Sequence, residues 1–215
     1  RGKFRIRVGA FILFGREGNR ALLQRDLTFL TYRDSNQMYS YREDISLPVT
    51  RTLGRVIELL RPLNRVADEI RNLKREETLL YPEGAIREAL LNAIAHRDYR
   101  IQGLRNEIRF FPDRLEFISA GGLPGFMTLE NLETQHYSRN PKIVHALMTL
   151  GYVEELGQGI NLMKQLLKGN RNPAPVFEVY PDLFKVTFRR VMAAETPQER
   201  SLRVLEILRK SPWLT

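Results

Sequence analysis

The run YPEGAIREALLNAIAHRDY, residues Tyr81–Tyr99, has the strongest helical periodicity in the chain and decides the fold. Its apolar side chains recur every three or four residues, so in a helix they form one face that can pack on a sheet. Pro82 suits the first turn, where a missing N–H costs nothing. The sequence therefore predicts a helix that packs on a sheet through Ile86, Leu90, Ala93, Ile94 and Arg97.

A second face of this helix carries polar side chains. Glu88, Asn92 and His96 follow one another at intervals of four residues and therefore project from the same face. A carboxylate, an amide and an imidazole in one row could hold a metal-bound phosphate and a water molecule. The row could also be an ordinary solvated edge, and the spacing by itself favours that interpretation.

Length and composition bound the class of protein. A chain of 215 residues, 43% hydrophobic and 27% charged, is ordinary for a soluble globular protein with one good core. The absence of cysteine excludes disulfides and thiolate metal sites and fits a reducing, cytoplasmic location. No apolar run approaches the length of a membrane span. Because the chain begins at Arg1 rather than Met, we expect it to be part of a longer protein.

The net charge of +9 is unevenly distributed. Residues 1–75 hold 16 Lys and Arg against 8 Asp and Glu, whereas residues 76–190 hold 14 of each. A basic N-terminal third suggests a polyanionic partner such as DNA. The basic residues are dispersed rather than clustered, which also fits a merely amphipathic surface.

Short apolar runs predict strands in the first fifty residues. Residues 4–14 alternate and then become continuously apolar, which indicates a strand entering a core. Residues 21–32 predict a second strand and residues 37–44 a third. These three segments would make the N-terminal part of the chain rich in β-structure.

Helical periodicity returns from Pro48 to Leu73, with a break expected near Arg61 because Pro62 cannot sit inside a helix. Asn140-Pro141 has the chemistry of a helix start. Further helices are predicted from Asn140 to Gly151, from Gln158 to Leu167 with a stop at Gly169, and from Thr196 to Lys210.

Two hairpins are predicted from their turn chemistry, since proline followed by aspartate between apolar runs favours a tight turn. The first joins residues 105–111 to 114–119, and the second joins residues 176–180 to 184–190. Between them, residues 120–137 form a glycine-containing connection, which we call the lid. A connection of this length in a compact domain is usually functional.

Five motifs of this chain resemble, in order, a known family. Glu88-Ala-Leu-Leu-Asn92 resembles the E-x-x-x-N box of the Bergerat-fold ATPases such as gyrase, histidine kinases and MutL. The wider run REALLNAIAHRDY, with FPDRLEFISAGGLP, SRNP and EELGQGI, resembles the divergent ATPase-like domain of bacterial RecG-like helicases and Schlafen-type transcriptional regulators. The resemblance covers residues 48–190. It implies an α+β protein, a two-layer sandwich with helices on one face of a mixed sheet.

The resemblance also implies roles for the helix residues. Asn92 would bind the Mg²⁺ that bridges the phosphates of ATP, and Glu88 would position or activate the attacking water. Mg²⁺ prefers oxygen ligands and keeps several waters, and a nearby carboxylate can accept a proton from one. Alternatively, Glu88 pairs with Arg87 or Arg97 and Asn92 caps a loop.

Two glycine segments complete the implied site. Gly121 and Gly122 stand where the active ATPases have a D-x-G-x-G loop, but Ser119-Ala120-Gly121-Gly122 contains no aspartate to bind the adenine amino group. Gly157-Gln158-Gly159 resembles the second glycine box, in which backbone N–H groups and a helix N-terminus approach a phosphate. Because the aspartate is missing, the sequence leaves open whether the domain is a weak Mg²⁺-dependent ATPase or is not an enzyme.

Three further residues have two interpretations each. His96 and Arg97 would contact the phosphates or the lid, or else His96 is satisfied by a backbone carbonyl and Arg97 pairs with Asp98. Arg139 would contact the phosphates, or it belongs to the start of a helix. No G-x-x-x-x-G-K-[ST] loop is present, which excludes a P-loop motor.

The resemblance predicts three units. Residues 1–47 would end a Schlafen-type (AlbA-like) β-rich domain, residues 48–190 would form the ATPase-like domain, and residues 191–215 would begin a winged helix. We expect a nucleotide-binding module of a DNA-binding transcriptional regulator, in which ATP orders the lid. The alternative is a degenerate scaffold that dimerises or positions its neighbours without nucleotide.

Overall fold

The computed structural model describes residues 8–15, 26–34, 38–65, 69–71, 74–76, 79–135, 137–152 and 158–190. Five helices and eight strands lie within these ranges. They are α1 (Val8–Phe14), β1 (Leu27–Tyr32), β2 (Tyr39–Ile45), α2 (Val49–Leu60), β3 (Glu69–Arg71), β4 (Lys74–Glu76), α3 (Glu83–Ala95), β5 (Asn106–Phe110), β6 (Arg114–Ala120), α4 (Pro141–Thr149), α5 (Gly159–Gly169), β7 (Val176–Val179) and β8 (Leu183–Arg189).

Six of the strands form one sheet in the order β2-β1-β5-β6-β8-β7. The pairing of β1 with β5 is parallel, and the other four pairings are antiparallel. Strands β3 and β4 form a separate two-stranded hairpin. The helix α3 packs on β6 and is flanked by α2 and α5. The predicted α+β sandwich, with helices on one face of a mixed sheet, is confirmed.

The core lies between α3 and the sheet face that it covers. Because alternate strand residues point to opposite faces, every second residue of the central strands enters this core. α3 is buried nearly all round, and full burial of a side chain such as Leu90 contributes about 1.5–3 kcal/mol. The strand residues of the core include Leu27, Phe29, Ile108, Leu115, Phe117, Val186 and Phe188.

Ion pairs cover the opposite face of the sheet. Arg109 lies 2.6 Å from Glu107, and Arg114 lies 2.6 Å from the buried carboxylate of Glu116. The aliphatic parts of long charged side chains cover the apolar atoms of the sheet, while their charged ends pair with one another. Within the described ranges, this face is therefore stabilised without a second layer of helices.

The prediction of a strand over residues 4–14 is wrong for the described part of that range. Residues 8–14 form the helix α1, whose Ile12 and Leu13 enter the core. A short continuous apolar run fits a buried helix as well as a buried strand, so periodicity could not decide. Residues 4–7 lie outside the described ranges.

The helix predicted from Pro48 to Leu73 ends earlier. α2 stops at Leu60, with Arg61 as its C-cap, as expected one residue before Pro62. Beyond that point residues 69–71 pair with residues 74–76 as strands, so the prediction of helix to Leu73 is wrong. Pro62 explains why α2 ends, but the helical periodicity of the sequence did not show that residues 69–76 form a hairpin.

The remaining predicted elements that fall in described ranges are present. Both proline-aspartate hairpins form, as β5–β6 and β7–β8. α4 begins at Pro141 and is followed by Gly151, whose φ of +74° suits the end of a helix. α5 includes Gly169 as its last residue instead of stopping before it. The helix predicted from Thr196 to Lys210 lies outside the described ranges.

Strands from both sides of residue 47 belong to the same sheet. β1 and β2 precede that position, and β1 pairs with β5 over five residue pairs. The assignment of residues 1–47, 48–190 and 191–215 to three separate units stays a prediction. In the described part of the chain, no helix has the length and apolar character that crossing a membrane requires.

Candidate functional site

A cavity of about 330 Å³ lies between α3, the lid, the helix face of β6, β7 and β8, and the start of α5. This volume is within the range of small-molecule sites. Six of the residues predicted to form a site line it together: Glu88, Asn92, His96, Gly121, Gly122 and Arg139.

The middle of α3 supplies the polar row of the cavity. Glu88 and Asn92 are one turn apart, and Asn92 Nδ2 donates a hydrogen bond of 3.3 Å to Glu88 Oε1. This bond turns the amide nitrogen toward the carboxylate and leaves the amide oxygen on the opposite side of the group. An amide oxygen can ligate Mg²⁺, and a carboxylate one helical turn away can accept a proton from a nearby water.

The first residue of α5, Gly159, lies against Glu88. A Cβ atom at this position would be 1.9 Å from Glu88 Oε1 and 3.2 Å from Asn92 Nδ2. A larger residue here would force the Glu88 side chain to move away from the N-terminus of α5. That N-terminus carries a partial positive charge, which favours an anion beside it. The other glycine of the predicted box, Gly157, lies outside the described ranges.

Arg87 and Arg97 do not make the predicted pairs with Glu88. The side chain of Arg87 donates to the carbonyl oxygen of Tyr152 at 2.7 Å. The Arg97 side chain donates to Asn106 Oδ1 at 2.8 Å and to the carbonyl oxygen of Leu104 at 2.6 Å.

Arg97 does not line the cavity and is only 1% exposed. The structure thus separates it from the other predicted site residues and gives it the role of joining α3 to β5. The predicted pair with Asp98 is also absent, because Arg100 holds Asp98 instead at 2.7 Å. The guanidinium of Arg100 lowers the pKa of Asp98 to about 2.

His96 follows the last residue of α3 and lines the cavity. Burial, with a smaller contribution from the nearby guanidinium of Arg139, lowers the pKa of His96. The imidazole is therefore neutral at pH 7 and offers hydrogen bonds rather than positive charge to a ligand.

The two loop glycines are required by close packing. Gly121 has a φ of +105°, and a Cβ atom there would lie 1.9 Å from Arg139 Nη1 and 2.8 Å from Asp98 Cβ. At Gly122, a Cβ atom would lie 2.5 Å from the carbonyl oxygen of Tyr180. The loop after β6 thus passes between the end of α3, the β7–β8 turn and Arg139, which leaves no room for a side chain.

Arg139 and Asn140 close the C-terminal end of α3. Arg139 Nη2 donates to the carbonyl oxygen of Gly122 at 2.6 Å, and Nη1 donates to that of His96 at 3.4 Å. Asn140 Nδ2 donates to the carbonyl oxygens of Ala95 and Arg97 at 2.9 and 2.8 Å.

These bonds satisfy carbonyl groups that a helix end leaves unpaired. Asn140 does stand at the N-cap position of α4, as predicted, but its side chain makes no cap bond to that helix. The sequence does not predict this role of Asn140, because it joins residues more than forty positions apart.

The apolar wall of the cavity is likewise not predicted from the sequence. Alternation along the strands is the signal that places such residues on one face, but the order of the strands cannot be read from it. The wall comprises Phe117, Phe177, Phe184 and Val186 from the sheet and Ile160 and Met163 from α5.

The lid lies over the cavity and touches α5. Leu123, Met127 and Leu132 of the lid line the cavity. Glu133, further along the lid, forms an ion pair with Lys164 of α5. The lid is thus held across the cavity mouth by apolar contacts and by one surface ion pair.

The polar residues fit Mg²⁺ bound together with a phosphate group better than a metal bound by protein alone. The described residues contain no cluster of three or more His, Asp or Glu side chains that could hold a metal ion. Asn92 would supply one oxygen ligand, and phosphate and water would supply the others, which is the coordination that Mg²⁺ usually keeps in such sites.

Comparisons with known proteins give a family match for part of the chain and a structural match for most of it. Residues 103–188 match the family model described as "Putative ATP-dependent DNA helicase recG C-terminal". The match runs from just before β5 to β8 and includes the lid, Arg139 and Gly159. A comparison with curated proteins found no match.

A solved structure shares the fold. The DIP2311 protein from Corynebacterium diphtheriae superposes with a TM-score of 0.74 at 21% sequence identity, over 95% of this chain and 44% of that chain. The present chain thus spans less than half the length of this relative. Residues 103–188 of this chain are thus similar to the C-terminal region of RecG-like proteins, and the fold of the chain is shared with part of a larger protein.

Proposed function

We propose that the cavity binds a nucleoside triphosphate together with Mg²⁺. The observation that carries this proposal is the convergence of Glu88, Asn92, His96, the glycine loop and Arg139 on one cavity of about 330 Å³. Residues up to 51 positions apart in sequence, from Glu88 to Arg139, supply these groups. A solvated helix edge would not require that convergence.

The chemistry of the site follows from its residues. Asn92 would give an amide oxygen to Mg²⁺, which when bound neutralises phosphate charge. Glu88, held between Asn92 and the N-terminus of α5, would position a water molecule and accept its proton. Arg139 is the one Lys or Arg side chain lining the cavity in the described part of the chain, and it would face the phosphates. Weak Mg²⁺-dependent hydrolysis is part of the same proposal.

The alternative function, a scaffold that binds no nucleotide, predicts a pocket filled by protein side chains. The cavity between α3 and the lid is open instead, and this observation supports nucleotide binding. For the whole protein we propose that nucleotide binding orders the lid and changes how flanking domains sit on DNA, within a cytoplasmic transcriptional regulator that forms a homodimer.

Titration calorimetry with the β,γ-imido analogue of ATP and Mg²⁺ tests the proposal. We expect micromolar binding by the wild type and binding weaker by about 10-fold or more in Asn92→Ala, the typical cost of losing one contact to a charged group. Gln102→Ala, at an exposed position that does not line the cavity, is the matched control and should bind like the wild type. No heat from the wild type at millimolar nucleotide would refute nucleotide binding by this chain.

A further inference from the structure

The sheet side of the cavity is apolar except for one hydroxyl group. Phe117 and Ser119 of β6 lie beside Phe184 and Val186 of β8, and all four line the cavity. A nucleobase is the flat and least polar part of a nucleotide, so its favourable position is against this wall. Ser119, which is 3% exposed, would then lie at the edge of the base.

A second hydroxyl of the cavity has no partner in the described part of the chain. The Oγ atom of Ser138 is buried and makes no hydrogen bond there. Leaving a buried hydroxyl unsatisfied costs about 1–3 kcal/mol, so a ligand atom that pairs with it gains affinity. Ser138 lines the same cavity and precedes Arg139 in the chain.

The carboxylate that lines the cavity, Glu88, lies between Asn92 and the N-terminus of α5. Among the described lining residues Glu88 is the one acidic side chain, and it accepts a hydrogen bond from Asn92 and lies against Gly159. The described lining residues therefore offer a base edge no second carboxylate, whereas they do offer it the hydroxyl groups of Ser119 and Ser138.

A carboxylate and a hydroxyl group differ in which purines they can bind by hydrogen bonds. An ionised carboxylate only accepts hydrogen bonds, so it selects the 6-amino group of adenine. A serine hydroxyl rotates and can either accept from a 6-amino group or donate to a 6-oxo group. We infer, on the basis of the proposed nucleotide site, that this cavity takes purine nucleotides with either substituent at position 6, through Ser119 and Ser138.

Competition binding measures this directly. Inosine triphosphate differs from ATP by a 6-oxo in place of the 6-amino group and by the proton on N1. With Mg²⁺ present, inosine triphosphate should displace the β,γ-imido ATP analogue with an affinity within about 10-fold of that of ATP, whereas a site built around a matched donor–acceptor pair rejects the wrong group by roughly 10⁴-fold.

The outcomes separate the two proposals. ATP binding with inosine triphosphate weaker by about 100-fold or more would overturn the relaxed base selection and leave the nucleotide site standing. Binding of neither nucleotide would overturn both. Comparable affinities would support both.

Substitutions at Ser119 give an independent test. Ser119→Asp should shift the preference toward ATP by about 10-fold or more, because the carboxylate can only accept. Ser119→Asn has the same shape with both a donor and an acceptor, so it should keep the wild-type ratio. An equal shift in both variants would contradict the role of the hydroxyl. If the buried aspartate prevents folding, as a thermal unfolding curve would show, Ser138→Ala replaces it and should weaken both nucleotides by the same factor.

Discussion

The pKa of His96 depends on burial and on a neighbour, Arg139, that is distant in the sequence. The imidazole lies at the end of α3, where burial and the guanidinium of Arg139 both disfavour its charged form. A lowered pKa means that the folded protein resists protonation of this group more than the unfolded chain does. His96 therefore couples folding to pH.

The stability of the protein should decrease as the pH falls below the ordinary histidine pKa of 6.5. Below that value the unfolded chain binds a proton at His96 that the folded protein does not yet bind, so the unfolded state is favoured. The loss is about 1.4 kcal/mol for each unit by which the pKa is lowered.

Denaturant unfolding of the wild type and of His96→Gln at pH 7.5, 6.5 and 5.5 measures this contribution. The free energy of unfolding of the wild type should fall more steeply than that of the variant between the two lower values. Parallel pH profiles for the two proteins would show that His96 has the same pKa in both states.

At the scale of elements, the lid is held near both ends and by an ion pair in between. The bond from Arg139 to the carbonyl oxygen of Gly122 joins the start of the lid to the chain just after its end. Glu133 forms a partly exposed ion pair with Lys164 of α5. Such pairs contribute about 0.2–1 kcal/mol, so this ion pair adds a small amount to the apolar contacts of the lid.

Charge reversal in this ion pair should make the lid more accessible to proteases. Lys164→Glu places two carboxylates side by side, and we expect cleavage within the lid to accelerate by about 2- to 5-fold. The double variant Glu133→Lys with Lys164→Glu restores the attraction and should restore the wild-type rate. Raising the salt concentration should reduce the difference between the single variant and the wild type, because exposed charges are screened.

Limited proteolysis followed by mass spectrometry of the fragments provides the rates. The same rate in all three proteins at low salt would show that the ion pair does not hold the lid. Adding nucleotide and Mg²⁺ to the wild type extends the assay, since a ligand beneath the lid should slow its cleavage.

At the scale of the whole molecule, one sheet unites the strands before residue 47 with the strands after it. β1 lies between β2 and β5, and its Leu27 and Phe29 enter the same core as α3. A boundary at residue 47 would therefore divide a sheet and expose the edge of β5 with the buried Ile108.

A chain that starts at Pro48 should lose cooperative unfolding, because it lacks two strands and their share of the core. A chain that ends at residue 190 removes none of the described residues and serves as the control for shortening the chain as such. Circular dichroism during thermal denaturation compares the three. A cooperative transition of the Pro48 chain at the full-chain midpoint would instead establish residue 47 as a domain boundary.

The sequence by itself determined the elements whose causes are local. The period of the apolar residues predicted α3, the two proline-aspartate turns predicted both hairpins, and Pro62 predicted the end of α2. The row of Glu88, Asn92 and His96 followed from spacing along one helix. Each of these depends on residues within a few positions of one another, so each is written in a short stretch of chain.

Only the tertiary structure decided the contacts between distant segments. The parallel pairing of β1 with β5, the bonds of Arg97 to β5, and the closure of α3 by Arg139 and Asn140 all join residues that local periodicity treats separately. The same holds for the apolar wall and the buried hydroxyl of Ser138, which share a cavity because the sheet, α5 and the segment before α4 pack together. Strand order depends on which buried surfaces fit together, and that is a property of the whole core rather than of any one segment.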